Sequence, residues 1–342
     1  MKNKQHFNLV SFVIPTLNSG SVLQECLKSI RNQNYPQTLI EIIISDGGST
    51  DKTINIAKTY DCQIIKNDLK TAESGKALGI KISKGKYIAL IDSDNILPDS
   101  DWLSLMLQPF KDTSIIGTEP WEYTYRPNGG FIERYSSLTG VNDPYALIAK
   151  NYDRKNFIRK NWNGLNIKVK DHLKYQSFTL SKGQKLPSIG ANGTIYLKKI
   201  LDKYLTSDYL IDVDFLTNIL SKTQKLSFAK VKCGIIHSYC ESSITKFIKK
   251  QKRRVTDLYI YQQIRPKNFI ASHFNDTIIF TLYIILIIPM SFDTIKGFIK
   301  KPDSAWFFHP VACILTWWTY FSVTIKYKFH LLEPVNRDFW QQ

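Results

Sequence analysis

Cysteine is scarce and scattered. The 342-residue chain has five, Cys26, Cys62, Cys233, Cys240 and Cys313, an odd number with no Cys-x-x-Cys pair. That argues against a disulfide framework and a zinc ribbon, and it predicts a reducing compartment. Acids are short too: 29 Asp and Glu stand against 46 Lys and Arg, a net charge of +17. A surplus of that size predicts an anionic partner, whether nucleic acid, an acidic lipid surface or a phosphorylated ligand. No apolar run approaches the roughly 20 residues of a membrane-crossing helix. Internal repeats and low-complexity tracts are absent. The opening MKNKQHFNLVSFVIP has a short β-branched run stopped by Pro15 and no small-residue cleavage site, and reads as a first strand rather than a signal peptide.

An apolar content of 43% leaves material for a substantial core, and the length suits one large domain or two modest ones. The first hundred residues alternate strand and helix signals. Strands are expected at 10–15, 40–45, 62–66 and 87–91, with helices at 21–33, 51–60 and 75–83. This alternation predicts βαβ units and an α/β fold with a mainly parallel sheet. Ligands on such sheets bind beyond the carboxyl ends of the strands. Asp46 and Asp92 each fall just past a strand end, so they should meet at one crevice. Residues 126–193, rich in Asn, Lys, Tyr and Gly, read as loops. Helices are expected again at 197–205 and 212–220.

Four features can carry chemistry. Pro15-Thr16-Leu17-Asn18 follows the first strand and can bring backbone close to a ligand, though most such loops are only turns. In Ser45–Thr53 (SDGGSTDKT), Asp46 can accept hydrogen bonds from a base edge while Gly47 and Gly48 permit a tight turn. A turn with a helix cap and no ligand explains the same stretch. Asp92-Ser93-Asp94 puts two carboxylates near one cation, and hard oxygen ligands suit Mg²⁺ or Mn²⁺ and diphosphate oxygens. Asp212 and Asp214, after Gly190-Ala191-Asn192-Gly193, start a helix; either could be a general base or merely favour the helix dipole.

In this order, PTLN, SDGGSTDKT, GIKISKGKYIALIDSDN, GANG, IDVDF, His237 and QKRR resemble family 2 glycosyltransferases of the GT-A fold. The resemblance covers roughly residues 9–255 and is most specific over 9–104. It implies a nucleotide site made of Pro15, Thr16, Asn18, Asp46, Lys76, Asp92 and Ser93, with Asp46 on the nucleobase and Asp92 by the ribose. It implies metal contacts from Asp94 and His237, with Mg²⁺ or Mn²⁺ as cofactor, and Asp212 as catalytic base. Asn192, Asp214, Gln251 and Arg254 are placed by the diphosphate or acceptor. Four positions depart from the family pattern: Ala77, Asn95, Ile211 and Val255. The acid usual before the base is missing at Ile211, so Asp214 competes with Asp212; Val255 speaks against a processive synthase.

The implied activity is inverting transfer of a sugar from a nucleotide donor, UDP-linked by preference, to a hydroxyl of a lipid-linked or cell-surface glycan. A polyprenyl-phosphate sugar synthase is the alternative. Residues 1–240 would form the catalytic domain, with its nucleotide half at about 1–110 and its acceptor half at about 111–240. Residues 241–342 form a basic, apolar helical region. There, Lys246, Lys249, Lys250 and Arg253 are expected to gather at anionic headgroups. The apolar stretches 277–290 and 311–325 read as helices about 22 Å long, short of the roughly 30 Å hydrocarbon core. They predict interfacial or re-entrant helices on the cytoplasmic face of a membrane, with a buried helical subdomain as the other reading. Nucleic acid is not expected as a partner: no binding module or basic-aromatic face is evident. An inactive scaffold would not need four intact acids. A nucleotidyltransferase would carry a Gly-rich loop after the first strand, and a phosphatase an Asp nucleophile there; neither is present.

Overall fold

A computed structural model of the chain describes residues 7–190, 192–262 and 274–337; Ala191 of the GANG segment lies outside the described residues. The chain opens with β1 (Val10–Thr16), α1 (Leu23–Arg31), β2 (Ile40–Asp46), α2 (Thr53–Thr59), β3 (Gln63–Lys66), α3 (Ala72–Ile82) and β4 (Tyr87–Leu90). The four strands lie parallel in the order β3-β2-β1-β4. Val10, Phe12, Val13 and Ile14 of β1 are all fully buried, as a strand covered on both faces must be. Helix α1 turns Leu23, Cys26, Leu27 and Ile30 inward at helical spacing. Helix α3 is capped by Thr71, whose side chain accepts from the Ser74 amide. It crosses β1 so closely that a Cβ on Gly79 would lie 2.4 Å from Val13. Every element expected in this half is present, with its ends moved by a few residues.

Next come β5 (Asn95–Ile96), α4 (Trp102–Leu107), β6 (Ile115–Tyr123), α5 (Phe131–Thr139), α6 (Pro144–Ile148), β7 (Val169–Asp171), β8 (Tyr175–Ser181), β9 (Thr194–Leu197), α7 (Lys198–Tyr204), α8 (Asp212–Thr223) and β10 (Lys225–His237). Strand β9 enters antiparallel between β4 and β6. Strand β10 lies parallel to β6, and β8 and β7 complete that edge antiparallel. The sheet is therefore mixed, and the parallel expectation holds for its N-terminal half. The stretch 126–193, read as loops, contains α5, α6, β7 and β8.

The C-terminal part is helical: α9 (Ile244–Ile260), α10 (Phe274–Ile285), α11 (Ile288–Lys300) and α12 (Phe308–Lys328). The apolar stretch 277–290, expected as one helix, is divided between α10 and α11, which meet at 80°. Pro289 sits in the first turn of α11 and cannot continue the hydrogen-bond ladder of α10. Among the described residues no single helix is long and apolar enough to cross a membrane. Helices α5, α9 and α12 share a core containing Tyr135, Phe247, Trp306 and Phe308.

Candidate active site

After β1 the chain goes to one side of the sheet, through β2 and β3, and then to the other at β4. The carboxyl ends of β1 and β4 thus flank a topological switch point, where the helices diverge and leave an opening. A crevice lies there. Its walls include Pro15 and Thr16 from β1, Asp92, Ser93 and Asp94 after β4, and Asn192 before β9. His237 at the end of β10 and Lys250, Arg253 and Arg254 from α9 complete it.

The two acidic turns have different roles. The Asp46 carboxylate accepts from Thr16 Oγ1 at 2.9 Å, the Gly48 amide at 2.9 Å, the Ser49 amide at 2.7 Å and Ser49 Oγ at 2.5 Å. Those four bonds fill its lone-pair sites, so the expected base-edge contact has no acceptor left. Asn18 is likewise taken into this turn, accepting from the Thr50 amide at 2.9 Å. Asp46 and Asn18 shape the loop beside the crevice rather than line it.

The turn after β4 opens into the crevice. Asp92 pairs with the buried Lys76 at 3.0 Å. Asn95, fully buried, accepts from the Asp92 amide at 3.0 Å and donates to Asn192 Oδ1 at 3.1 Å. An acid at 95 could not make that donation, so the departure from the family pattern has a structural reason: Asn95 ties the Asp92–Asp94 turn to Asn192. Ser93 Oγ donates to Ser19 Oγ at 3.0 Å.

Asp94 faces two cationic or imidazole groups. His237 Nε2 lies 3.4 Å from Oδ1 and Lys250 Nζ 3.2 Å from Oδ2. Burial alone would raise this carboxyl; Lys250 and His237 overcome it and hold Asp94 well below the usual carboxylate range. Among the described residues no three His, Cys, Asp or Glu side chains converge on one point. Mg²⁺ and Mn²⁺ sites that also bind phosphates commonly take only one or two carboxylates from the protein. Two cis ligands of an octahedral ion stand about 3 Å apart, so Asp94 Oδ1 and His237 Nε2 fit such an ion.

Helix α9 corrects an expectation. Lys250, Arg253 and Arg254 fall at i, i+3 and i+4, one helical face, and that face lines the crevice rather than a lipid surface. Gln251 is fully buried and does not reach the crevice: its Nε2 donates to the Asn142 carbonyl at 2.8 Å and its Oε1 accepts from Arg254 at 2.6 Å. It positions Arg254, which also pairs with Asp143 at 3.5 Å and meets Tyr320. Arg337, which sequence reasoning did not single out, also reaches the crevice while paired to Asp257 at 2.7 Å.

Asp212 and Asp214 part company because residues two apart on a helix point to different sides. Asp214 lines a separate pocket with Tyr204, Tyr209 and Asn218. Asp212 faces Lys76 and Asp92. Burial pushes its carboxyl up to about 7, with Asp92, Glu73 and Glu119 adding to the rise and Lys76 opposing it. Its Oδ1 is buried with no hydrogen-bond partner among the described residues. Beneath it lies a buried ionic group that the sequence did not reveal. Glu119 pairs with Arg154 at 2.6 Å and with Lys230. Glu119 also accepts from the Gly190 amide at 3.0 Å, and Arg154 donates to the Asn192 carbonyl at 2.8 Å. The group thereby fixes the segment that borders both Asp212 and the crevice.

A mixed α/β sheet with a cation-walled crevice at its switch point has the architecture of the GT-A class. Residues 11–205, more than half of the chain, match Glycosyl transferase family 2, and the chain belongs to that family. It is 30% identical over 151 residues to glycosyltransferase AglE of Haloferax volcanii, covering 42% of this chain and 49% of that protein. It is 29% identical over 222 residues to the poly(ribitol-phosphate) beta-N-acetylglucosaminyltransferase TarS of Staphylococcus aureus, covering 60% of this chain and 38% of that one. The chain spans between about a third and a half of the length of the curated relatives it matches first. Its fold is similar to that of the mannosyltransferase PcManGT of Pyrobaculum calidifontis, solved with GDP-Man and Mn²⁺. That likeness has a TM-score of 0.51 at 12% identity, over 95% of this chain and 88% of that one.

Proposed function

We propose that this chain transfers a sugar, with inversion, from a nucleoside diphosphate donor to a hydroxyl of a glycan acceptor, cell-surface or lipid-linked. The carrying observation is Asp212: a half-buried residue whose Oδ1 is buried and unpartnered, with a carboxyl raised to about 7, set behind Asp92 of the crevice wall rather than lining it. A general base works best with a pKa near the working pH. The acceptor oxygen attacks the anomeric carbon, Asp212 Oδ1 takes its proton, and the bond from that carbon to the diphosphate oxygen breaks with its electron pair. Lys250 and Arg254 stand where they can stabilise the negative charge gathering on the diphosphate. Asp94 and His237 would hold the divalent ion, which when bound adds further positive charge at the leaving group. Mg²⁺ and Mn²⁺ both suit the Asp94 carboxylate and diphosphate oxygens. Uridine is the base that the sequence motifs favour.

A hydroxyl acceptor needs a base, whereas a polyprenyl phosphate is already anionic. The Asp212 environment therefore supports the glycan acceptor over a polyprenyl-phosphate sugar synthase. A relative named for poly(ribitol-phosphate) agrees with a hydroxyl-bearing polymer. In the Asp212→Asn variant, turnover should fall by about 10²–10⁴-fold while titration with the nucleoside diphosphate and Mn²⁺ gives an unchanged affinity. Full turnover in that variant would remove Asp212 as the base.

A further inference from the structure

The C-terminal helices bury some large apolar residues, Phe280, Met290, Phe308 and Val323 among them, but leave a larger apolar set outside. A helix on the surface of a water-soluble protein turns its large apolar residues inward and its polar ones outward. Helix α12 buries Ala312, Cys313, Thr316 and Thr319 and exposes Val311, Ile314, Trp318, Phe321 and Ile325. The exposed positions form one stripe at helical spacing. Helix α11 repeats the arrangement, with Thr294 and Gly297 buried and Ile288, Phe292, Ile295 and Ile299 outside. The elbow between α10 and α11 is the sharpest case. Connections at a water surface are ordinarily polar. Here the elbow is Ile285-Leu286-Ile287-Ile288, with every side chain 58% to 79% exposed. Single apolar residues at a surface need no explanation, but a continuous patch of this kind marks an interaction surface.

The outward charge on this part is mainly positive. Within 274–337 the acids are Asp276, Asp293, Asp303 and Glu333; the three Asp are each turned to a partner in the fold, and Glu333 is exposed beyond α12. Asp276 meets Lys185 at 2.6 Å, Asp293 accepts from Tyr283 at 3.0 Å and Asp303 meets Arg134 at 3.1 Å. Lys326 and Lys328 are exposed at the end of α12, and Lys300, exposed at the end of α11, also donates to the Ile158 carbonyl at 2.5 Å.

We propose that this face docks on an anionic bilayer leaflet without spanning it. The α10–α11 elbow and the outer stripe of α12 enter the boundary between headgroups and acyl chains, and the lysines meet lipid phosphates. A second copy of the chain is the poorer occupant, because two such faces would set lysine against lysine with only Glu333 outward to pair them. Lys250 and Arg253, committed to the crevice, take no part.

Full-length protein floated with phosphatidylcholine vesicles, with and without phosphatidylglycerol, tests this. It should rise with the anionic vesicles and bind the neutral ones about tenfold or more weakly. Replacing Ile285 and Ile288 together by Asn, at positions outside the core, should weaken flotation about tenfold or more and leave the melting temperature unchanged. Brominated lipid should quench tryptophan fluorescence, and less so in Trp318→Phe. Three results would overturn the proposal: sedimentation away from anionic vesicles, flotation indifferent to the elbow variant, or an elbow-dependent dimer that never floats.

Discussion

A carboxylate that burial raises to about 7 is a base at neutral pH and a burden on the fold. Its unfolded value is near 4. Between those two values the folded chain keeps a proton that the unfolded chain has lost, so stability falls as pH rises through the window and is level above it. Asp212→Asn should abolish that dependence. The variant should then melt higher than the parent at pH 8, by an amount on the order of a few kcal/mol, with the difference shrinking toward pH 4. Calorimetry across pH checks it; a variant less stable at pH 8 would refute an uncompensated buried charge at 212. The same group should shape catalysis in the other direction. In the parent chain kcat/KM should climb with pH until about 7 and then level, because only the deprotonated carboxylate accepts the acceptor's proton. Activity and stability are thus set against each other at one side chain.

The supporting elements explain what sequence alone could show. The acids at 92 and 94 were legible because an apolar strand runs straight into them, and strand ends on a parallel sheet point to a crevice. Asp46 looked the same by that rule. Its carboxylate is absorbed by Thr16, Gly48 and Ser49, a distinction of hydrogen bonding that no spacing reveals. The group of Glu119, Arg154 and Lys230 was not legible at all. It joins β6, the segment after α6 and β10, and only the antiparallel insertion of β9 and the late return of β10 bring them together. Breaking one member of a buried ionic group leaves its partners uncompensated. Lys230→Met should therefore cost about 3–5 kcal/mol of stability, measured by urea unfolding. Glu119→Gln, which keeps an acceptor for the Gly190 amide but leaves both Arg154 and Lys230 without their shared carboxylate, should cost more than Lys230→Met. Equal losses would show that the charge balance is not what holds this group.

At the scale of the molecule, the crevice collects cations from distant parts of the chain: Lys70 after β3, Lys250, Arg253 and Arg254 on α9, and Arg337 beyond α12. Part of the positive surplus that composition alone could only ascribe to an anionic partner lines the crevice, and a smaller part lies at the ends of α11 and α12. The crevice share has a thermodynamic consequence. A ligand that binds only the folded chain stabilises it by mass action, by about 2.7 kcal/mol at a hundredfold excess over Kd. A nucleoside diphosphate with Mn²⁺ should raise the melting temperature, whereas the nucleoside alone, lacking the diphosphate charge, should do so far less. Lys250→Met should cut that shift substantially, because it removes a cation 3.2 Å from Asp94 at the place where the diphosphate charge has to be met. Asp94→Asn should make the remaining shift insensitive to Mn²⁺. If Lys250→Met kept the full ligand-induced shift, the α9 face would not be the diphosphate wall, and the cations there would serve only to hold Asp94 and Asp143 in place.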